Sequence, residues 1–349
     1  MVLGVTAGSI ALAAVTRYVD LGSVTAFVCS GLAVAMLAAV VGRSVEQLGD
    51  RFGPGATGVL QSALGNLPEL FIGIFALRAG LTGVVQAAII GSILGNALLV
   101  LGLAFVVGGL KHGVQQFSSA RAQTTSVLLV LAVSALVVPS LAAYVHTPAA
   151  SHEGALSVIV SLVLLLVFAL SLPASLSRKA QPGAEGDGED VEAEIPRWPL
   201  PLALVLLTAA SLLSALVSDW FVTALEPAIE TLNISQAFAG LVIVAIAGNA
   251  VENVVGIQLA ARNRADYALS VIVNSPLQIA LVLAPALVLL SHVVGGAVLT
   301  LVFSPMLVVA VVVAVITVTI AILDGKSDWL EGSALIGLYG VIAAAFWWG

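Results

Sequence analysis

The sequence predicts an all-α membrane protein of about eleven transmembrane helices, arranged as one extra N-terminal helix and two inverted-topology repeats of five. Three observations carry that prediction. Hydrophobic residues make up 60% of the 349 and charged residues only 9%, with a mean hydropathy of +1.15, which is too little charge to cover a water-soluble domain. The apolar runs are long enough to cross a bilayer as helices and lack the alternating ten-residue strands of a barrel. Finally, one short polar motif occurs twice. Residues 65–70 read GNLPEL and residues 248–253 read GNAVEN, each near the middle of an apolar run. Asn66 and Asn249 lie 183 positions apart, as do Glu69 and Glu252. The same offset maps Gly65 onto Gly248, Gly73 onto Gly256, Ser92 onto Ser275, Ala97 onto Ala280 and Leu98 onto Leu281.

Taken in order, the chain opens MVLGVTAGSIALAAVT with no basic residue ahead of its apolar run, which predicts a first span at 2–18 rather than a cleaved signal. A second run fills 22–45. The third, 57–78, holds GNLPEL, where Pro68 removes a helix donor and frees a carbonyl one turn back. Such a break survives in hydrocarbon only where protein or water satisfies the loosened backbone. The fourth run, 81–109, carries GSILGN, and the fifth and sixth fall at 120–143 and 153–176. Residues 177–198 contain AEGDGEDVEAE, six acids among glycines, which predicts a solvated, flexible linker. Beyond it, spans are expected at 199–223, 236–261 with GNAVEN, 265–291 with NSPLQIAL, 296–323 and 329–348. Glu226 and Glu230 fall in a loop after the first of these and read as a solvated face. The division is therefore an extra helix at 1–20, a first repeat at 21–176, a linker at 177–198 and a second repeat at 199–349.

Basic residues set the orientation. The even-numbered loops hold Arg43, Arg51, Lys111, Arg121, Arg178, Lys179, Arg197, Arg262, Arg264 and Lys326, whereas the odd-numbered loops hold only Arg17 and Arg78. Even loops, linker and N-terminus are thus expected in the cytoplasm and the C-terminus outside. Five helices per repeat then insert the second copy upside-down, the arrangement of secondary transporters with a site at the midplane.

A carboxylate at the bilayer centre costs about 2.5–3.5 kcal/mol on insertion scales, so Glu69 and Glu252 demand a role. Asn66 with Glu69, and Asn249 with Glu252, stand three residues apart and share a helix face. The next span of each copy adds Ser92 and Asn96, or Ser275 and Gln278. All are oxygen donors, the set a hard cation such as Ca²⁺ takes. The single cysteine, Cys29, and the absence of Cys and His from this group argue against zinc or copper. With the ion gone, burial and mutual repulsion favour the protonated carboxyls, so protons can replace the metal and cation/proton exchange follows. No bound cofactor is expected, and nothing has the basic, aromatic-studded face of a nucleic-acid binder. The partners expected are the lipid bilayer, Ca²⁺ and H⁺.

At these residues the chain resembles the calcium/proton antiporter family of the cation/calcium exchanger superfamily. GNLPEL, GSILGNALLVLG, GNAVEN, SPLQIAL and DGKSDWLEGSALIGLY carry the resemblance. It implies that Glu69 and Glu252 bind cation and protons in turn, that Asn66 and Asn249 support them on broken helices, and that Ser92, Asn96, Ser275 and Gln278 line the path. It also implies a bacterial plasma membrane protein that expels calcium. The family pattern has His where this chain has Asn253, and alanine where it has Leu67. The first departure leaves open Na⁺-coupled Ca²⁺ exchange or Na⁺/H⁺ exchange on the same fold.

Overall fold

The computed structural model describes residues 2–19, 21–52, 60, 64–177 and 198–348, without the side chains of residues 50, 52, 173–177, 251 and 252. Apart from two short strands and a 3₁₀ turn, the regular structure of these residues is helical. The helices are α1 (Val2–Tyr18), α2 (Ser23–Phe52), α3 (Leu67–Arg78), α4 (Thr82–His112), α5 (Ser119–Tyr144), α6 (Glu153–Ser177), α7 (Leu200–Leu232), α8 (Gln236–Gly248), α9 (Ala250–Ala261), α10 (Ala265–Val294), α11 (Pro305–Ile322) and α12 (Trp329–Phe346). Eight of the helices in the described residues are long and apolar enough to cross a membrane. A ninth span is added when α8 and α9, which meet at a 64° bend, are counted together. The linker expected at 177–198 and much of the first half of the span at 57–78 lie outside the described residues.

The 183-residue offset is written into the backbone. Shifted by it, the bounds of α3 coincide with those of α9, and the first residue of α4 with that of α10. The left-handed residue after α3, Gly80 (φ 81°), maps onto Asn263 (φ 59°) after α9, and Gly113 (φ 74°) onto Gly296 (φ 95°). Both α4 and α10 contain a π-helical stretch, Gly95–Val100 and Ile279–Leu283, at matching places in the offset. A third, Ala239–Val244, lies in α8. Such turns widen the hydrogen-bond ring and recur at functional sites.

Helices α2 and α7 pack antiparallel along their length. Ser23 Oγ reaches Pro227 O and Thr231 Oγ1 at one end, Phe27 stacks on Phe221 at 4.8 Å, and Trp198 N donates to Gln47 Oε1 at 3.0 Å at the other. This packing continues α7 as helix to Leu232, so Glu226 and Glu230 are helical and exposed rather than in a loop. Helices α4 and α8 approach backbone to backbone: a Cβ on Gly91 would stand 2.2 Å from Leu241 O, and one on Gly240 2.4 Å from Val84 O. Small residues permit such contacts in membranes. Outward faces are apolar; Leu162, Leu166 and Leu170 of α6 and Leu212 and Leu216 of α7 are exposed.

A second expectation also fails. The span expected at 296–323 is helical only from Pro305; residues 297–303 form a non-helical strap in which Leu299, Leu301 and Phe303 are buried and Val298 is exposed. Gly295 and Gly296 end α10 with positive φ, and Ser304-Pro305 starts α11 afresh. The strap's backbone is satisfied largely by side chains of other elements, as buried backbone must be. Leu299 N donates to Ser291 Oγ, Leu301 N to Ser157 Oγ and Phe303 N to Ser140 Oγ. Gln86 Nε2 donates to both Thr300 O and Val302 O, Ser140 Oγ to Leu301 O, and Tyr144 Oη to Phe303 O. On the opposite side, β1 (Gln115–Gln116) pairs antiparallel with β2 (Lys326–Ser327).

Candidate functional site

The site forms where α3 and α9 begin. Asn66 (φ −93°, ψ 19°) and Asn249 (φ −92°, ψ 19°) hold the same backbone conformation, in the sparsely populated bridge region. Each is the N-cap of the helix that follows. In the first copy Pro68 fits the opening turn of α3, where no N–H is needed. The second copy has Val251 there, and its helix is interrupted at the equivalent Gly-Asn pair, Gly248–Asn249. Glu69 and Glu252 both occupy the third helical position, where the positive end of a helix favours a carboxylate. The side chain of Glu252 lies outside the described residues.

Glu69 is buried, 9% exposed, and its side chain lies on the second motif. A Cβ added to Gly248 would stand 2.5 Å from Glu69 Cγ, 3.1 Å from Cδ and 3.2 Å from Oε1. The acid of one copy is thus seated at the helix break of the other. Sequence reasoning expects Gly248, like Gly65, Gly91 and Gly95, to let helix backbones approach closely; the group that lies against it is the Glu69 side chain.

Asn249, 2% exposed, is the hub of a hydrogen-bond network. Its Nδ2 donates to Ser92 Oγ and to Ala245 O, both at 2.9 Å. Its Oδ1 accepts from Asn96 Nδ2 at 2.9 Å and from Ser275 Oγ at 3.3 Å. Asn96 Nδ2 also donates to Ser92 O at 2.9 Å. Four of the eight residues singled out in the sequence, Ser92, Asn96, Asn249 and Ser275, therefore meet in one network drawn from three helices. Asn66 is buried, and its Nδ2 has no hydrogen-bond partner among the described residues. Gln278 is half-buried just beyond Ser275 on α10 and outside the network. Asn253, at the position of the family histidine, has a buried Oδ1 with no partner among the described residues.

Glu69 and Ser92 share a cavity whose other walls include Ile72 and Ala76 of α3, Val85 and Ile89 of α4, and Leu283 and Leu287 of α10. Along α3 and α4 these residues lead from the carboxylate toward the turn at Ala79–Leu81. The arrangement sets a carboxylate and a hydroxyl on an apolar cavity, with the amides of Asn96 and Asn249 bonded behind that hydroxyl: oxygen groups of the kind that can hold a desolvated hard cation or a proton.

The chain matches the family described as sodium/calcium exchanger protein over residues 22–176 and 202–348. It is 36% identical to a Ca(2+)/H(+) antiporter of Synechocystis sp., over 93% of this chain and 91% of that protein. Identity to the Ca(2+)/H(+) antiporter ChaA of Bacillus subtilis is 37%, over 90% and 89% of the two chains. The structure of native YfkE superposes with a TM-score of 0.84 at 32% identity, covering 99% of both chains. The H⁺/Ca²⁺ exchanger CAX, at 17% identity, shares the fold with a TM-score of 0.74. With both halves matched and several apolar helices long enough to span a bilayer, the protein is a multi-pass membrane protein of the sodium/calcium exchanger family, in its calcium/proton antiporter branch.

Proposed function

We propose that the protein exchanges cytosolic Ca²⁺ for H⁺ by alternating access across a bacterial plasma membrane, with Glu69 and Glu252 binding the metal or protons in turn. The observation that carries this reading is the seat of Glu69 on Gly248. It sets the first copy's acid beside the motif that holds the second, within reach of the Ser92–Asn249–Ser275 network. The names of the bacterial relatives above support the choice of ions.

Two carboxylates in a low-dielectric site strongly favour an occupant that neutralises them. A Ca²⁺ ion does so with two charges and two protons do so equally, so either load can cross while the empty, doubly charged site cannot. Asn66, Asn249, Ser92, Asn96, Ser275 and Gln278 supply neutral oxygens toward the roughly six to eight ligands such an ion takes. The architecture proposed is one extra helix at 1–20, then inverted repeats at 21–176 and 199–349 joined by a cytoplasmic linker at 177–198. The antiparallel packing of α2 on α7 supports that inversion. With the N-terminus in the cytoplasm, the Glu69 cavity leads toward the outer face.

Calcium uptake into everted vesicles, driven in parallel by an imposed pH gradient and by an imposed Na⁺ gradient, tests the reading. Uptake against the calcium gradient with ΔpH alone, abolished in folded Glu69→Gln and Glu252→Gln proteins, is expected. Uptake that requires Na⁺ would move the assignment to Na⁺-coupled exchange, and undiminished flux in either variant would remove that acid from the site.

A further inference from the structure

A second cavity lies on the face of the molecule that carries β1 and β2. Ala104 of α4 and Ala268 and Ile272 of α10 are among its walls. At the 183-residue offset these are the equivalents of Leu287, Val85 and Ile89, which wall the cavity at Glu69. The first cavity reaches Glu69 and Ser92, whereas the second stops at Ile272, one turn short of Ser275. Two equivalent glycines mark the difference. A Cβ on Gly73 would stand 2.7 Å from Leu287 Cδ2, but one on Gly256 would stand 2.4 Å from Ile272 Cγ1. The two copies of the half-helix therefore lean different ways. Helix α3 leaves Ile89 open to a cavity, and α9 covers the equivalent Ile272.

We infer that Gln115 is a positioning residue for transport that holds this second route shut: its buried amide ties the end of α9 to the end of α4 across the cavity. The inference rests on the alternating access proposed above. Gln115 is 3% exposed and walls the cavity together with Ser327, its partner in the β1–β2 pairing. Its Nε2 donates to Ala260 O at 3.2 Å and to Asn263 Oδ1 at 3.0 Å. Ala260 O only accepts, so the amide nitrogen must be the atom that faces it. Its Oε1 lies against α4, 1.8 Å from where a Cβ on Gly108 would stand. The opposite face has the equivalent bond without a side chain. Leu77, the equivalent of Ala260, accepts at 3.0 Å from the backbone N–H of Ala297 in the strap. A backbone N–H moves only with its whole segment, whereas the Gln115 amide lets go by changing rotamer. The releasable tie therefore stands over the shut cavity, and the fixed one stands on the face where α3 already leaves room.

The test uses Cys29→Ser protein in lipid nanodiscs, Cys29 being the single cysteine. Ala88→Cys reports on the cavity at Glu69 and Ala268→Cys on the second cavity. Labelling by a sulfonated maleimide is followed in each reporter with Gln115 intact, with Gln115→Met and with Asn263→Gly. Methionine keeps the length of glutamine without its donors, and glycine accepts the positive φ of Asn263 (59°). Losing the amide's hydrogen bonds should speed labelling at Ala268→Cys by about 3- to 10-fold in Gln115→Met. Labelling at Ala88→Cys should slow in return, and Asn263→Gly should shift both rates in the same directions by less. A merely structural role would speed both reporters, or would lower the melting temperature with both rates unchanged; either result overturns the inference. Faster labelling at Ala268→Cys alone would be local fraying and also overturns it. If Gln115→Met does not fold, the Asn263→Gly rates decide by the same criterion. Proton-driven calcium uptake by the Cys29→Ser parent is measured in parallel. Its absence beside reciprocal labelling would overturn the choice of ions proposed above and leave the tie standing.

Discussion

The contact between Glu69 and Gly248 yields a graded prediction. In Gly248→Ala the new methyl would stand 2.5 Å from Glu69 Cγ, against an optimal carbon–carbon separation of about 3.5–4.0 Å. The acid or the helix break must therefore move by about 1 Å. Overpacking of this kind costs about 1–3 kcal/mol. If that strain falls on the step in which Glu69 holds its ion, the rate drops about 5- to 150-fold at 1.36 kcal/mol per factor of ten. Two other glycines calibrate the result. A Cβ on Gly340 of α12 meets nothing within 4 Å, so Gly340→Ala should transport as wild type. A Cβ on Gly91 would lie 2.2 Å from the Leu241 carbonyl, backbone that cannot rotate away, so Gly91→Ala should lose assembly as well as transport. The assay is ΔpH-driven calcium uptake beside a thermal-melting and monodispersity check on each variant. Gly248→Ala transporting at the wild-type rate, with unchanged KM, would refute the seating of Glu69 on the second motif.

Two further predictions address the frame around the site. Ser140→Ala leaves Phe303 N and Leu301 O of the strap unmet, at about 1–3 kcal/mol for each buried group. A clear fall in melting temperature is expected, whereas Thr223→Ala, exposed on α7 with its hydroxyl bonded to Asp219 O of the same helix, should change it little. Ala76→Leu pushes a larger side chain into the cavity leading from Glu69, so calcium flux should fall in the fraction of protein that remains folded and monodisperse. Unchanged flux would mean that ions do not use that route.

The positions of the helices and of the polar motifs were legible because apolar runs are local properties and the Gly, Asn and Glu of one motif recur at a single offset. Pro68, Gly80 and Gly113 each mark a boundary that the backbone obeys. The strap at 297–303 was missed for a physical reason. Its run of Val, Leu and Phe is as apolar as a span, and the groups that bond its backbone, Gln86, Ser140 and Ser157, are more than 140 residues away in sequence. The Gly-Gly and Ser-Pro pairs at its ends were the local sign. The π-turns after Ser92 and Ser275 leave hydropathy unchanged and so leave no trace in it. Asn96 was legible as a polar group in an apolar span. That it bonds Asn249, 153 residues away, is a tertiary fact, as is the Glu69–Gly248 contact.

The central claim is that one site serves metal and protons by turns. It is tested most directly by adding Ca²⁺ to the purified, weakly buffered protein and following pH with an indicator dye. The account predicts protons released in proportion to calcium bound, with no release from Glu69→Gln or Glu252→Gln. Calcium binding with no change in pH, or undiminished release from both variants, would contradict it.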